Sequence, residues 1–232
     1  NPHNPGIYTG GAQDNGTSSG SHLNLNSWSR DRGGDGFTPV FHPTNPNFRI
    51  ATVQWANFGF SDDPSTSSSP NWYSISDTDY NDRKGWDSPI MLHPANPDHI
   101  WTGTQRLWKM EGSPLGEWTD MSGDLTQNID PGLSYRVISA IAGSPFDENI
   151  LAAGTSDGRI HYTINGGLTW NMMIDGLPER YVTDIYFDPF NANSIFCTLS
   201  GYRDYAYTPH ILKAELGGAW ESISGDLPEH PM

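Results

Sequence analysis

Short runs of alternating apolar and polar residues, each bounded by Gly, Pro or Asn, fill this chain from end to end. Tyr181-Val182-Thr183-Asp184-Ile185-Tyr186-Phe187 alternates with a period of two and is rich in β-branched and aromatic residues, so it predicts a strand. A turn at Pro189 follows, then a second strand from Ser194 to Leu199. The third strand is His210 to Ala214, and a fourth begins at Trp220. The same order fits upstream. Residues 86–92, 100–104, 106–110 and 118–122 form one set, and residues 136–142, 150–154, 159–163 and 170–174 the next. An earlier set comprises 36–41, 49–54, a poorly defined third strand and 72–76. The first copy offers Ile7 to Gly10 as a second strand and Trp28 to Arg30 as a fourth, with no innermost strand before them.

Two markers recur in alternation. Prolines 2, 43, 94, 145 and 189 open Pro-x-Asn-Pro turns or weaker copies, spaced by 41, 51, 51 and 44 residues. Tryptophans 28, 72, 118, 170 and 220 head strands, spaced by 44, 46, 52 and 50. A supersecondary unit repeated every ~45 residues, with four antiparallel strands per unit, is the signature of a β-propeller blade. The expected fold is all-β, in one propeller domain. It divides as a partial blade over 1–34 and blades over 35–84, 85–133, 134–178 and 179–232. The short first blade implies a larger ring, whose remaining blades would come from other sequence or another chain; a self-closed five-bladed ring is the alternative.

Thr163-Ile164-Asn165-Gly166-Gly167-Leu168-Thr169-Trp170 combines a turn needing positive φ with an aromatic strand start. It resembles the Asp-box hairpin of BNR-type propellers, with Thr163, Asn165, Gly167, Thr169 and Trp170 at its defining positions. In that family the box is a structural fastener. Tyr8 to Thr17 and Gly33-Gly34-Asp35-Gly36-Phe37 extend the resemblance to bacterial exported propellers of BNR or sortilin-like type, some labelled glycosyl hydrolases. The resemblance implies an extracellular, periplasmic or cell-surface location. It also implies a binding or scaffold role toward polysaccharide, with glycoside hydrolysis or peptide and protein recognition as alternatives.

Composition narrows the partners. A formal charge of −15 lacks the basic footprint that nucleic acid requires. No stretch is long and apolar enough to span a bilayer. The single Cys197 sits in an apolar run and reads as a buried, inert thiol. The eight histidines show no metal spacing, and His42 and His93 precede turn prolines at equivalent positions, which predicts a shared turn role.

Candidate chemistry is sparse. Gln13, Asp14 and Asn15 follow a strand and could bind a ligand or simply close a turn. Asp14 and Asp35, with Asp31, are the candidates for the two carboxyl groups a glycosidase needs. In xyloglucan endoglucanases of similar fold the paired aspartates come from two propellers, so the resemblance leaves such a pair incomplete here. The sialidase arginine triad finds no match among twelve basic residues. Asp77, Asp79 and Asn81 place oxygens at alternate positions, the start of a calcium loop lacking its sixth-position Gly and closing Glu. No other cofactor is expected. Tyr202, Arg203 and Tyr205 form an exposed loop suited to recognition. Trp55, Phe58, Phe60, Trp86, Trp101 and Trp108 stand outside the strand-heading ladder, as sugar platforms if exposed and as core if inside strands. Asn15-Gly16-Thr17 is a glycosylation sequon, meaningful only after eukaryotic secretion.

Overall fold

The computed structural model describes residues 1–64, 70–75, 77–112, 115–127, 136–202 and 210–227. Among them there is no helix, and nineteen strands form five antiparallel sheets in chain order. The first sheet has three strands, β1 (Ile7–Ala12), β2 (Gly16–Ser21) and β3 (Asn24–Arg32). The second holds β4 (Val40–Phe41), β5 (Arg49–Val53), β6 (Asn57–Ser61) and β7 (Tyr73–Ser74). The third holds β8 (Ile90–His93), β9 (Asn96–Gly103), β10 (Leu107–Glu111) and β11 (Thr119–Asp120). The fourth holds β12 (Ile138–Gly143), β13 (Leu151–Thr155), β14 (Ile160–Thr163) and β15 (Asn171–Met172). The fifth holds β16 (Val182–Phe187), β17 (Ser194–Leu199), β18 (Ile211–Glu215) and β19 (Glu221–Ser222).

The first strands β4, β8, β12 and β16 touch in succession, so the sheets fan out from a common axis. Packing between sheets is dry. Ile50, Phe58, Phe60 and Ile75 of the second meet Ile100 and Met110 of the third. Trp101 and Leu107 of the third meet Ile138, Leu151 and Ala153 of the fourth. Between the fourth and fifth lie Ala152, Ile160, Met173, Ile185, Phe187, Ile195 and Cys197. Burial pushes the Cys197 thiol up to about 12, as expected of an inert thiol. Close approach demands the absence of a side chain at Gly154, where a Cβ would sit 2.5 Å from Val182 Cγ1.

The second sheet corrects the sequence reading. Its undefined third strand is β6, and the aromatics Phe58 and Phe60 left outside the ladder are its buried residues. Trp86, expected to begin an inner strand, lies in the connection before β8 and is half exposed. Trp101 and Trp108 are buried in β9 and β10.

Turn chemistry explains the proline ladder. The residue before each turn proline caps it: His42 Nδ1 accepts the Asn45 N–H at 2.9 Å and His93 Nδ1 the Ala95 N–H at 3.2 Å. Ser144 Oγ takes the Phe146 N–H at 3.2 Å, and Asp188 Oδ1 the Phe190 N–H at 2.8 Å. Asn4, Asn45, Asp147 and Asn191 each then accept the N–H two residues on. These are side-chain mimics of a backbone turn, which Asn and Asp provide best.

The hairpin between β14 and β15 is closed by side chains. Thr163 Oγ1 accepts the N–H groups of Asn165 and Gly167, at 3.2 and 3.0 Å. Asn165 Oδ1 accepts the Thr169 N–H at 3.0 Å, and its amide donates to Thr169 Oγ1 at 2.8 Å. Gly166 and Gly167 have φ of 67° and 93°. Trp170 Nε1 then donates to the Met121 carbonyl of the preceding sheet at 2.9 Å.

Candidate functional site

Antiparallel order places the turns between second and third strands at one end of the array, together with the connections from each fourth strand to the next sheet. The proline turns and the Thr163–Trp170 hairpin occupy the other end. The first end gathers most of the candidate residues.

Gln13, Asp14 and Asn15 form the tight β1–β2 turn, with Asp14 at φ 63° and the Asn15 amide donating to the Gln13 carbonyl at 3.1 Å. The Asp14 N–H donates to Asp35 Oδ1 at 2.7 Å. Asp35 is 7% exposed, and its own N–H reaches Gln54 Oε1 at 3.0 Å. Asp35 therefore braces the turn from below, and of the two carboxylates only Asp14 belongs to an exposed residue. Asp31 accepts hydroxyl bonds from Ser19 and Ser29.

Next to this brace, Trp55 and Ala56 turn the chain between β5 and β6 with φ of 63° and 55°. A bulky residue in the left-handed region costs about 1–2 kcal/mol unless its surroundings hold it there. Here the Trp55 N–H donates to the Trp86 carbonyl at 3.2 Å. The two indoles meet edge to face, with centroids 5.0 Å apart and planes at 87°. Phe37 abuts Trp86 in the same manner at 6.5 Å. Trp55 and Trp86 are each 42% exposed, which leaves part of each indole open to solvent.

Beyond Trp86 the first strands surround an axial cavity of about 370 Å³, lined by hydroxyls and two carboxylates, among them Thr38, Asp87, Ser139, Thr183 and Asp184. Burial raises the Asp87 carboxyl above its usual range. Sequence reasoning missed both Asp87 and Asp184. Neither lies in a motif, and only the convergence of first strands brings them together.

Asp77, Asp79 and Asn81 lie in the connection from β7 to β8. Asp77 pairs with Lys84, Asp79 pairs with Arg106 at 3.1 Å, and the Asn81 N–H and amide both turn to Asp79 Oδ1. Basic side chains thus meet the charges a calcium ion would otherwise use. Among the described residues no group of three or more His, Cys, Asp or Glu could hold a metal ion. Asp82 nearby is a buried hub, accepting from Thr104 Oγ1 at 2.7 Å, Gln105 Nε2 at 2.8 Å and Trp108 Nε1 at 2.9 Å, and from Arg106. Those bonds tie the connection from the second sheet to the β9–β10 hairpin of the third. Tyr202 is exposed, while Arg203 and Tyr205 lie outside the described residues.

No protein-family model matches the sequence, and no curated protein matches it. Solved structures do. A GH74 enzyme of Niastella koreensis aligns over 94% of this chain with a TM-score of 0.64 and 15% identity. An ancestral GH74 enzyme aligns over 98% with a TM-score of 0.70 and 15% identity. The GH74 xyloglucanase of Xanthomonas campestris aligns over 99% with a TM-score of 0.65 and 14% identity. The chain covers 36%, 30% and 37% of those three chains. At such identities the likeness speaks for architecture, and the architecture is the β-propeller, built of antiparallel sheets fanned about an axis.

Proposed function

We propose that this propeller binds polysaccharide through the Trp55–Trp86 platform, which adjoins the axial cavity through Asp87, the residue after Trp86. The observation that carries this reading is the pair itself: two half-exposed indoles, one held in an unfavourable backbone conformation by a bond to the other. Indole faces stack on sugar rings through apolar contact, while neighbouring oxygens fix orientation. Asp87, next to Trp86 in sequence, and Asp14 of the exposed β1–β2 turn are the candidates for such oxygens. Likeness to GH74 enzymes supports a carbohydrate ligand, and a protein that binds polysaccharide would act at the cell surface, in the periplasm or outside the cell. In this reading the Thr163–Trp170 hairpin is an Asp-box fastener with no contact to ligand.

The test is titration calorimetry against xyloglucan, mixed-linkage β-glucan and soluble cellulose derivatives. Trp86→Ala and Trp55→Gly should each weaken binding about tenfold or more, roughly 1.4 kcal/mol. Glycine suits the left-handed position, so the second variant keeps its fold. Unchanged affinity in both variants, or no binding to any glucan, would sink the reading.

Hydrolysis is the second reading, favoured by Asp87, a carboxyl held toward its protonated form in a cavity that also contains Asp184. A glycosidase needs one carboxyl protonated and one ionised. Release of reducing ends that disappears in both Asp87→Asn and Asp184→Asn would establish it, and its absence in the wild type would remove it.

A further inference from the structure

The Trp55 turn is built against its own preference. Two successive residues in the left-handed region of a hairpin suit Asn-Gly, yet Trp55 and Ala56 stand there at φ 63° and 55°. Such a conformation persists only where the surroundings over-determine it. On one side the Trp86 carbonyl and indole hold the turn.

On the other side the turn meets residues 32–37, the end of β3 and the connection that follows it. Arg32 lies against β6 at Gly59, where a Cβ would come within 2.8 Å of its Cζ. From there Arg32 Nη1 donates to the Ala51 carbonyl at 2.6 Å, and Nη2 donates to Asn57 Oδ1 at 3.2 Å. Gly34, at φ 90°, comes so close that a Cβ would sit 3.0 Å from Val53 Cγ1. The Asp35 N–H donates to Gln54 Oε1, and the Phe37 N–H to the Thr52 carbonyl at 3.3 Å. Phe37 then closes on Trp86. One short stretch thus grips the chain on both flanks of Trp55 and Ala56.

Charge does not explain Arg32. It forms no ion pair among the described residues, and burial lowers its pKa with no carboxylate to offset the effect. A half-buried guanidinium that serves two neutral oxygens is suited by its reach and its planar fork.

We infer that Arg32 and Gln54 are positioning residues for Trp55, a role that rests, as far as ligand is concerned, on the platform reading above. They lock the strained turn so that its indole stands against Trp86 before any ligand arrives. Asp35 carries the lock further, because its Oδ1 also accepts the Asp14 N–H and sets the exposed β1–β2 turn in the same frame.

Circular dichroism of the whole chain reads the lock without ligand, since edge-to-face indoles in contact give an exciton couplet. Trp86→Phe defines the signal lost when the pair is gone. Arg32→Met and Gln54→Met should each remove most of that signal. The urea midpoint should stay near wild type, because released strain offsets the lost bonds. Arg32→Lys keeps the charge without the fork and should fall between wild type and Arg32→Met. Titration with β-glucan should show affinity about tenfold weaker or more in Arg32→Met and Gln54→Met, with no further loss when either is combined with Trp55→Gly. A purely structural role gives the reverse: a lower urea midpoint, an intact couplet and losses that add to those of Trp55→Gly. That pattern, or an intact couplet in both Met variants, overturns the inference. If the wild type binds no glucan while the couplet still falls in both variants, the platform reading fails and the positioning of Trp55 stands.

Discussion

His93 has no exposed surface, and its Nδ1 caps the turn. Desolvation is the main reason its pKa falls to about 4. The unfolded imidazole takes its proton near 6.5, the folded one only near 4. Above 6.5 both are neutral, and stability from this site is complete. As pH drops from 6.5 toward 4 the unfolded state gains the proton first, and about 3 kcal/mol is lost across that window. Chemical denaturation at pH 7 and pH 4.5 should show His93→Asn losing less stability on acidification than wild type, even though it starts lower. Asn165 makes a second residue-scale case. Its side chain accepts from Thr163 Oγ1 and from the Thr169 N–H and donates to Thr169 Oγ1, so Asn165→Ala should cost about 1–2 kcal/mol in urea titration. Both residues were legible in the sequence, because repetition exposed the His turn position and the Thr-x-Asn spacing named the hairpin. Trp55 was legible only as an aromatic without a place. Its left-handed φ follows from a contact with Trp86, thirty-one residues away, which no local pattern records.

Strands announced themselves where side chains alternate and failed where they do not. β16 is a clean alternation and appears almost as read, from Val182 to Phe187. β6 is Asn-Phe-Gly-Phe-Ser, in which Asn and Gly suppress the strand signal while Phe58 and Phe60 provide the burial. Its identity comes from pairing with β5 rather than from intrinsic preference. Fourth strands are shorter than their tryptophan markers suggest, two residues each in the second to fifth sheets. Trp118, Trp170 and Trp220 pack toward the preceding sheet instead of extending the ladder. Spacing between sheets is set in part by Gly154, which lies beneath Val182 and Ile185. Gly154→Val forces those residues apart and should lower stability by about 1–3 kcal/mol, read as a lower urea midpoint with an unchanged slope.

For the molecule as a whole, recurrence carried the fold and charge sets its behaviour. Twenty-seven acidic residues oppose twelve basic ones. Like charges spread over so small a domain repel, and salt screens that repulsion within about 10 Å at 0.1 M. Moderate sodium chloride should therefore raise the thermal midpoint, and a fall on adding salt would assign more weight to ion pairs such as Arg106 with Asp79 and Asp120. The axial cavity was beyond sequence reasoning for a related reason. Asp87 and Asp184 are ninety-seven positions apart, and only the closing of first strands on one axis makes them neighbours.

Cys197 gives this architecture a built-in gauge. It is the chain's sole thiol, sealed between the fourth and fifth sheets and kept protonated there. An alkylating reagent can reach it only when that seam parts, so the speed of labelling in native buffer measures how often two neighbouring blades breathe.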